Sequence, residues 1–292
     1  MYNDRKVNFS LLKRGSKLFV RETIKTIRLN KGLPLKSVYI DVCSKTNAIK
    51  FENGERILAV DKFNQVLSNL MITMDEFQWI RNGYKPQKDD YYSYRISKAW
   101  NANNLVEFEE NVQHAEDDAI GIERIQLASY RLLRSYNNQL EPNKEELESV
   151  VNYFSNLSSW TLSDIRFFAN NCYVLPYSLM IILLQEVLKA QNRYTFYRNS
   201  DFIFAMALSN CIDRMIIEGD VTNAIKNLRL LNNLTIEITM DGFRLLAKYY
   251  EAKVTFLYLD EIKGEEELLN VLTTAQFLGN GQLVDEIKGL ID

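Results

Sequence analysis

Residues 44–54 hold the side chains whose types and spacing suit a chemical task, and that task is hydrogen bonding to a polyanion. Their apolar periodicity predicts a helix that turns Ala48 and Phe51 inward. Ser44 is suited to cap its first turn, and Gly54 is suited to end it. The outer face then carries short polar and cationic side chains: Lys45, Thr46, Asn47 and Lys50. A solvated surface helix can have the same composition, so the flanking elements must decide between the two interpretations.

The flanking residues predict a group of short helices around this segment. The five predicted helices span 20–28, 35–41, 44–52, 60–70 and 73–81. The second and third helices are separated by a turn of a few residues, which is the helix-turn-helix pattern with the third helix as the reader of DNA. The whole group resembles the Xre-type (Cro/repressor) DNA-binding domain over residues 17–83.

The charge distribution agrees with a nucleic-acid-binding segment at the start of the chain. Residues 1–85 contain 16 Lys and Arg against 8 Asp and Glu, a formal balance of +8. Residues 86–292 contain 19 against 30, a balance of −11. The net charge of −3 therefore hides a basic head on an acidic body. We expect the head to bind DNA phosphates and the acidic body to be repelled by them.

The composition argues against catalysis and against a bound cofactor or metal. His114 is the only histidine and lies in an acidic stretch, which is typical of a solvated helix residue. The chain has no Cys/His cluster at metal-ligand spacing and neither the GxGxxG nor the GxxxxGK pattern. A Ser-His-Asp arrangement on His114 stays open, but no nucleophile elbow accompanies it. An enzyme is therefore the less favoured class.

The composition also favours a cytoplasmic protein. The chain contains no run of 18 apolar residues, so no membrane partner is expected. The basic residues near the N-terminus are not followed by an apolar segment, so no secretory signal is expected. Cys43, Cys172 and Cys211 are scattered and odd in number, which is typical of a reducing compartment.

The rest of the chain predicts stacked helical pairs. A segment containing Pro86 separates this body from the head, so we expect a DNA-binding domain at 1–84 with a basic N-terminal extension, a linker at 85–93 and a repeat domain at 94–292. The predicted body helices are 94–101, 104–118, 121–138, 143–156, 161–172, 176–190, 199–218, 221–231, 237–260, 264–277 and 282–291. Successive pairs recur every 35 to 45 residues or so, which predicts an α-solenoid of tetratricopeptide-like repeats with an extended binding surface. The fold class is thus all-α.

The chain resembles the Rgg/GadR/MutR family of transcriptional regulators. The resemblance rests on the following segments: 32–38, 43–44 and 51–55 in the head, and 160–168 and 207–210 in the body. It implies a cytoplasmic homodimer that binds promoter DNA. In several members of that family the repeat domain binds a short, linear signalling peptide, so the resemblance also implies a short hydrophobic peptide as ligand.

The resemblance assigns roles to residues around the third helix. Lys45, Thr46 and Lys50 occupy positions that read base edges in Xre-like domains. Asn47 serves that same face or a phosphate. Asn53 and Arg56, just beyond the helix, are placed to grip phosphates and set the register.

Two further head residues have two interpretations each. Arg28 could contact DNA, but the resemblance favours a structural ion pair with Glu52, which would otherwise face phosphate as an anion. Cys43, directly before the third helix, is either a small buried residue or one half of a reversible disulfide between the two heads of a dimer.

The body offers candidates for binding a linear peptide, whose backbone groups need hydrogen-bond partners. The candidates are Arg131, Arg134, Arg166, Asn170, Asn171, Tyr173, Asn210, Arg214 and Tyr250. Each of these could instead be satisfied by a neighbouring helix. Two other functions remain open: a regulator that answers pH or a metabolite, and a repeat scaffold that sequesters a protein and binds DNA only marginally.

Overall fold

A computed structural model of the protein describes residues 19–102, 104–116 and 119–292. The regular secondary structure of these residues is helical, and no strand occurs in them. The chain divides into two compact units, residues 1–118 and 119–292. The all-α fold expected from the sequence, a five-helix head followed by helical repeats, is confirmed. The domain limits at 84 and 94 stay a prediction, and the basic extension over residues 1–18 lies outside the described residues.

The described residues form sixteen α-helices. In the first unit these are α1 (Val20–Asn30), α2 (Leu35–Tyr39), α3 (Lys45–Glu52), α4 (Val60–Asn69), α5 (Met74–Arg81), α6 (Lys88–Asn101) and α7 (Leu105–Glu116). In the second unit they are α8 (Ile122–Asn137), α9 (Lys144–Ser155), α10 (Leu162–Asn171), α11 (Tyr177–Ala190), α12 (Ser200–Ile217), α13 (Val221–Leu234), α14 (Asp241–Val254), α15 (Glu261–Phe277) and α16 (Gly281–Ile291).

The five head helices enclose one apolar core. Its fully buried side chains recur at helical spacing and include Ile24, Val38, Ala48, Val66 and Phe77. Helix α3 packs on α1 and α2, while α4 packs on α2 and α5. The outer side of α3 is therefore left uncovered by the other head helices. Helices α6 and α7 pack against each other as a pair in the same unit.

The second unit stacks α10, α12 and α14 side by side in a fixed register. The amide nitrogen of Asn210 donates to the Ala169 carbonyl at 2.9 Å, and the Tyr173 hydroxyl donates to Asp213 at 2.8 Å. The partners in these two bonds are 41 and 40 residues apart. Lys253 donates to the same Asp213 across 40 residues. The Phe202 and Phe243 rings, 41 residues apart, also meet. Equal offsets at successive levels mean that the three helices run parallel, with a repeat of 40 to 41 residues.

A capping box fixes the start of α10. The Asp164 carboxylate accepts hydrogen bonds from the Thr161 amide at 2.8 Å and hydroxyl at 2.6 Å, and from the Tyr153 hydroxyl of α9 at 2.5 Å. Burial alone would raise the pKa of Asp164, but these hydrogen bonds outweigh burial and lower it. Burial, together with the bond to Asp164, raises the pKa of Tyr153 to about 12.

The end of α14 departs from the sequence expectation of one helix over 237–260. The segment is a 3₁₀ turn (Ile238–Met240), helix α14 and a π-helical turn (Thr255–Leu259). Gly264 of α15 packs against that π turn, because a Cβ on Gly264 would lie 2.2 Å from the Cα and N atoms of Phe256. Helix α15 starts at Glu261 instead of 264, because the Asp260 side chain caps it by accepting from the Lys263 amide.

Helix α6 begins at Lys88, earlier than the predicted start at 94, so the second half of the expected linker is helical. The sequence placed a hinge there because Pro86 and a run of polar residues precede it. A proline just before the first turn does not oppose a helix, since the missing N–H falls among groups that have no intrahelical partner.

Candidate nucleic-acid interface and ligand groove

Helix α3 packs one side into the core of the head and exposes the other side to solvent. Ala48, Phe51 and Glu52 are buried. The Ser44 hydroxyl caps the helix by accepting from the Asn47 amide at 3.3 Å. Gly54, with φ of +84°, ends it in the left-handed conformation. The local sequence therefore positions the outer side chains through burial of the inner ones.

The outer side of α3 presents unpaired hydrogen-bond donors. Lys45, Thr46 and Lys50 are exposed, and none of them has a polar partner among the described residues. Asn53, at the end of the helix, is also exposed and makes only a long contact of 3.5 Å to Glu55. These side chains can therefore reach a groove without first breaking a strong interaction in the protein.

Asn47 and Arg56 meet at the start of α3. The Arg56 guanidinium donates to the Asn47 side-chain oxygen, which brings the loop after α3 back to its first turn. The remaining N–H groups of both side chains stay available for phosphate oxygens. The predicted contact residues thus form one continuous surface, and their binding roles stay predictions.

Arg28 and Glu52 form a bidentate, buried ion pair inside the head. The Arg28 Nε and Nη2 atoms each lie 2.7 Å from a Glu52 carboxylate oxygen. Tyr39 donates to the same carboxylate at 3.2 Å, and Arg28 also donates to the Leu33 carbonyl at 3.1 Å. The hydrogen bond to Glu52 is the main cause that raises the pKa of Arg28. The Arg28 guanidinium therefore lies between α1 and α3 and points away from the outer side of α3.

Arg21 is a cation beside α3 that the sequence reasoning missed. Its guanidinium lies 4.2 Å from the Phe19 ring centre and packs against Gly54, where a Cβ would come within 2.6 Å of Arg21 Nε. Gly54 therefore both ends α3 and leaves room for this arginine. The contact joins residues far apart in the chain, so no local pattern predicts it.

Cys43 is a half-buried free thiol one residue before the cap of α3. Burial raises the pKa of this thiol, against the opposing effect of Lys62 and Arg56. A raised pKa lowers the thiolate fraction and slows oxidation. The disulfide between two heads stays a prediction.

In the second unit, exposed and half-buried positions on the three parallel helices line up into one surface, here called the parallel-helix face. Helix α10 contributes Arg166 and Asn170, and Tyr173 follows just after its end. Helix α12 contributes Phe202, Met206, Asn210 and Asp213, and helix α14 contributes Phe243, Leu246 and Lys253. On each helix these positions are three, four or seven residues apart, which puts them on one side. The Phe202 and Phe243 rings, 5.1 Å apart, join two of the helices at the level where both begin.

The candidate peptide-binding residues divide into exposed and engaged ones. Arg166 and Asn170 are exposed, and neither has a polar partner among the described residues. Asn210 donates to Ala169 of the next helix, and Arg214 donates to the Tyr173 carbonyl at 3.0 Å. The remaining candidates lie elsewhere: Asn171 and Tyr250 are buried, Arg131 pairs with Glu146 of α9, and Arg134 is exposed on α8. Thus the structure brings Arg166, Asn170, Tyr173 and Asn210 together and leaves the others off the parallel-helix face.

A polar network closes the end of the parallel-helix face where the helices finish. Lys253 lies 3.3 Å from Asp213 and 3.6 Å from Glu286 of α16. Tyr249 also donates to Glu286 at 2.8 Å. Burial and the nearby Asp213 raise the pKa of Tyr173, so its hydroxyl stays a hydrogen-bond donor to Asp213 at neutral pH.

At the opposite end, a cavity of about 810 Å³ opens beside the start of α12. Its apolar lining comes from Phe202, Ile203, Leu234, Ile236 and Met240. Arg166, Asp201 and Glu237 are the charged residues of the lining. A cavity of this size with an apolar wall and a charged rim suits a bulky apolar side chain of a ligand.

The described residues contain neither a metal-binding cluster nor a helix that could span a membrane. No three His, Cys, Asp or Glu side chains there lie close enough together to hold a metal ion. None of the helices in that part of the chain has the combination of length and apolarity that a bilayer crossing requires.

Comparison with known proteins identifies relatives of the whole architecture. Residues 108–289 match the family HTH-type transcriptional regulator Rgg, C-terminal domain. A candidate transcriptional regulator from Listeria monocytogenes EGD-e has a similar structure, with a TM-score of 0.77 and 21% identity over 93% of this chain and 95% of that one. The SHP pheromone receptor Rgg2 of Streptococcus dysgalactiae gives a TM-score of 0.72 and 16% identity over 93% and 98%. ComR of S. thermophilus, solved with DNA and its signalling peptide ComS, gives 0.63 and 14% over 93% and 98%.

Proposed function

The chain belongs to the Rgg family of helix-turn-helix transcriptional regulators, and on this premise we propose that it is a homodimeric, promoter-binding regulator whose repeat unit senses a short apolar peptide. The observation that carries the proposal is the outer side of α3, with its row of exposed donors in a basic head. The solved complex of the structural neighbour ComR with DNA and peptide supports both halves of the proposal.

In the DNA-bound state, α3 lies in the major groove. Lys45 and Lys50 donate to guanine O6 and N7, and the Thr46 hydroxyl bonds to a base edge. Asn53 and Arg56, with Asn47 beside them, hold phosphates and fix the register of the helix. The acidic second unit contributes no phosphate contacts. As a homodimer, the protein reads two half-sites one or more helical turns apart.

The experiment that tests the proposed DNA binding is fluorescence anisotropy on promoter fragments from upstream of the gene, over a salt series. The parent protein is compared with Lys50→Ala, and with Lys25→Ala, which removes an exposed charge from α1 instead. We expect Lys50→Ala to lose discrimination between fragments, by about 1–3 kcal/mol for one good base contact. Lys25→Ala should keep the discrimination. Equal, unselective binding by all three proteins would refute the role of α3.

The peptide lies on the parallel-helix face. Phe202, Met206, Phe243 and Leu246 supply apolar contact, and Asn170 supplies both a donor and an acceptor for the peptide backbone. The face extends about 16 Å along α12 from Phe202 to Asp213 at 1.5 Å per residue. Three helices packed 8–10 Å apart give it a width of about 20 Å. An extended chain of about five to seven residues fits these dimensions.

A mixed-sequence heptapeptide library tests the proposed peptide binding. The parent should retain apolar peptides in affinity selection, and Phe202→Ala should retain fewer of them. Arg229→Ala, an exposed substitution on α13, is the matched control for a surface change off this face. Retention of no peptide by the parent would refute peptide sensing, while leaving the DNA-binding result unaffected.

The proposal includes a disulfide between the Cys43 residues of two heads, which would restrain the spacing of the heads when the protein is oxidised. Oxidised parent protein should run as a dimer on a non-reducing gel, and Cys43→Ser should not. A dimer band of equal strength in both proteins would exclude Cys43 as the linking residue.

A further inference from the structure

Ile49 is an apolar side chain in the middle of the polar outer side of α3. It is 43% exposed, whereas Ala48 and Phe51 on the inner side are nearly or fully buried. Helical spacing puts Lys45 and Thr46 one turn before Ile49, and Asn53 one turn after it. A branched aliphatic group thus lies among the donors that the proposed function assigns to DNA.

Exposure alone does not give Ile49 a role, because single exposed apolar residues are normal on protein surfaces. Leu29 and Ile40 of the same head are 57% and 51% exposed. The position of Ile49 is what distinguishes it. The helices α1 and α2 pack on the other side of α3, and among the described residues Ile49 is left partly exposed on the outer side. The exposed part of the side chain has no packing partner in water, but in a groove it meets the base edges.

We propose that Ile49 contacts the 5-methyl group of a thymine, so that each half-site requires a thymine at the position facing the middle of α3. This inference rests on the proposed function, in which α3 enters the major groove. Among the four bases, only thymine presents a methyl group in that groove, and the other edges present hydrogen-bond donors and acceptors. An isoleucine opposite such polar groups would remove them from water without a replacement partner. Thymine is therefore the base that Ile49 selects.

The neighbouring cations extend the description of the half-site. Lys45 and Lys50 favour guanine, whose O6 and N7 both accept hydrogen bonds. The selected sequence should accordingly contain the thymine close to one or two guanines. The alternative occupant of this apolar spot is the head of a second subunit, and the experiment below distinguishes the two.

The test begins with selection from a library of random DNA duplexes by the full-length parent protein. The selected consensus is then synthesised with one thymine at a time replaced by deoxyuridine, which removes the methyl group and leaves base pairing intact. We expect one position per half-site at which this replacement weakens parent binding about five- to tenfold, where tenfold corresponds to about 1.4 kcal/mol. Ile49→Ala should bind the unmodified consensus with a similar loss and should show no further loss with deoxyuridine at that position.

Leu29→Ala is the matched control, since it removes an exposed aliphatic group from α1. It should keep the parent sensitivity to deoxyuridine. Parent binding that tolerates deoxyuridine at every position would overturn the inference, as would a full deoxyuridine effect in Ile49→Ala. Dissociation of the Ile49→Ala dimer with unchanged base preference would also overturn it. If the selection enriches no sequence at all, the proposed function fails first, and this inference falls with it.

Discussion

Replacing Glu52 with glutamine should unfold the head before the rest of the chain. The Glu52 carboxylate is 4% exposed and accepts two hydrogen bonds from Arg28, at 2.7 Å each, and one from Tyr39. Glutamine keeps one oxygen, but its amide group then faces a guanidinium N–H as donor against donor. The positive charge of Arg28, whose side chain is 11% exposed, stays buried without a counter-ion.

The expected cost follows from the burial and the geometry of this pair. Removing one partner of a buried, hydrogen-bonded ion pair costs about 3–5 kcal/mol. The oxygen retained by glutamine places Glu52→Gln at the lower end, about 3 kcal/mol. A small domain loses roughly 4–8 °C of melting temperature for each kcal/mol, so the head should melt roughly 12–24 °C lower. The second unit, with its own core, should be unaffected.

Hydrogen exchange during urea titration locates the loss within the full-length chain. Amides of α1 and α3 should lose protection at lower urea in Glu52→Gln, while amides of α12 should not change. Glu55→Gln is the matched control, because Glu55 is exposed just after α3. A double variant with methionine at both Arg28 and Glu52 should recover most of the stability, since an apolar pair leaves no buried charge. Unchanged protection of α1 and α3 in Glu52→Gln would refute this account of the ion pair.

Two further variants test the second unit. Because the pKa of Asp164 is lowered in the folded protein, its contribution to stability is present above the unfolded-state pKa of about 4 and is lost as the pH falls through the folded-state value. Asp164→Asn should therefore lower the urea midpoint at pH 7 and differ less from the parent at pH 3, and a gap that widens in acid would contradict this. Gly264→Ala should cost about 2–3 kcal/mol or more by thermal unfolding, because its Cβ would meet the Phe256 backbone at 2.2 Å. Gly289→Ala, with open space around it, should cost nothing, and an equal loss in both alanine variants would show that packing is not the cause.

Much of the DNA-reading surface could be predicted from the sequence because it depends on local chemistry. Ser44, Gly54 and the apolar residues between them determine where α3 begins, ends and faces. Once those are known, Lys45 and Lys50 must lie outward. The place of Arg21 could not be predicted in this way, because it depends on contact with Gly54, which is distant in the chain.

The ligand groove could be predicted only in part, for a similar reason. Helical periodicity predicts which side of α12 is less apolar, but it does not tell which helices lie beside it. Asn210 illustrates the difference: as a polar residue in an apolar helix it suggested a ligand, but in the fold its amide bonds to Ala169 of α10. Phe202 and Met206 were not among the candidates from the sequence, and the stacking of α10, α12 and α14 leaves them on the parallel-helix face.

The sequence by itself determined the all-helical class, the basic head with its capped third helix, and the repeating helical body. These follow from interactions between residues a few positions apart, which any helix of this sequence must make. Only the tertiary structure decided the pairing of Arg28 with Glu52, the 40- to 41-residue register of the repeats and the composition of the parallel-helix face. Those features depend on which distant surfaces bury each other best, and the free energy of that packing is a property of the whole core rather than of any one segment.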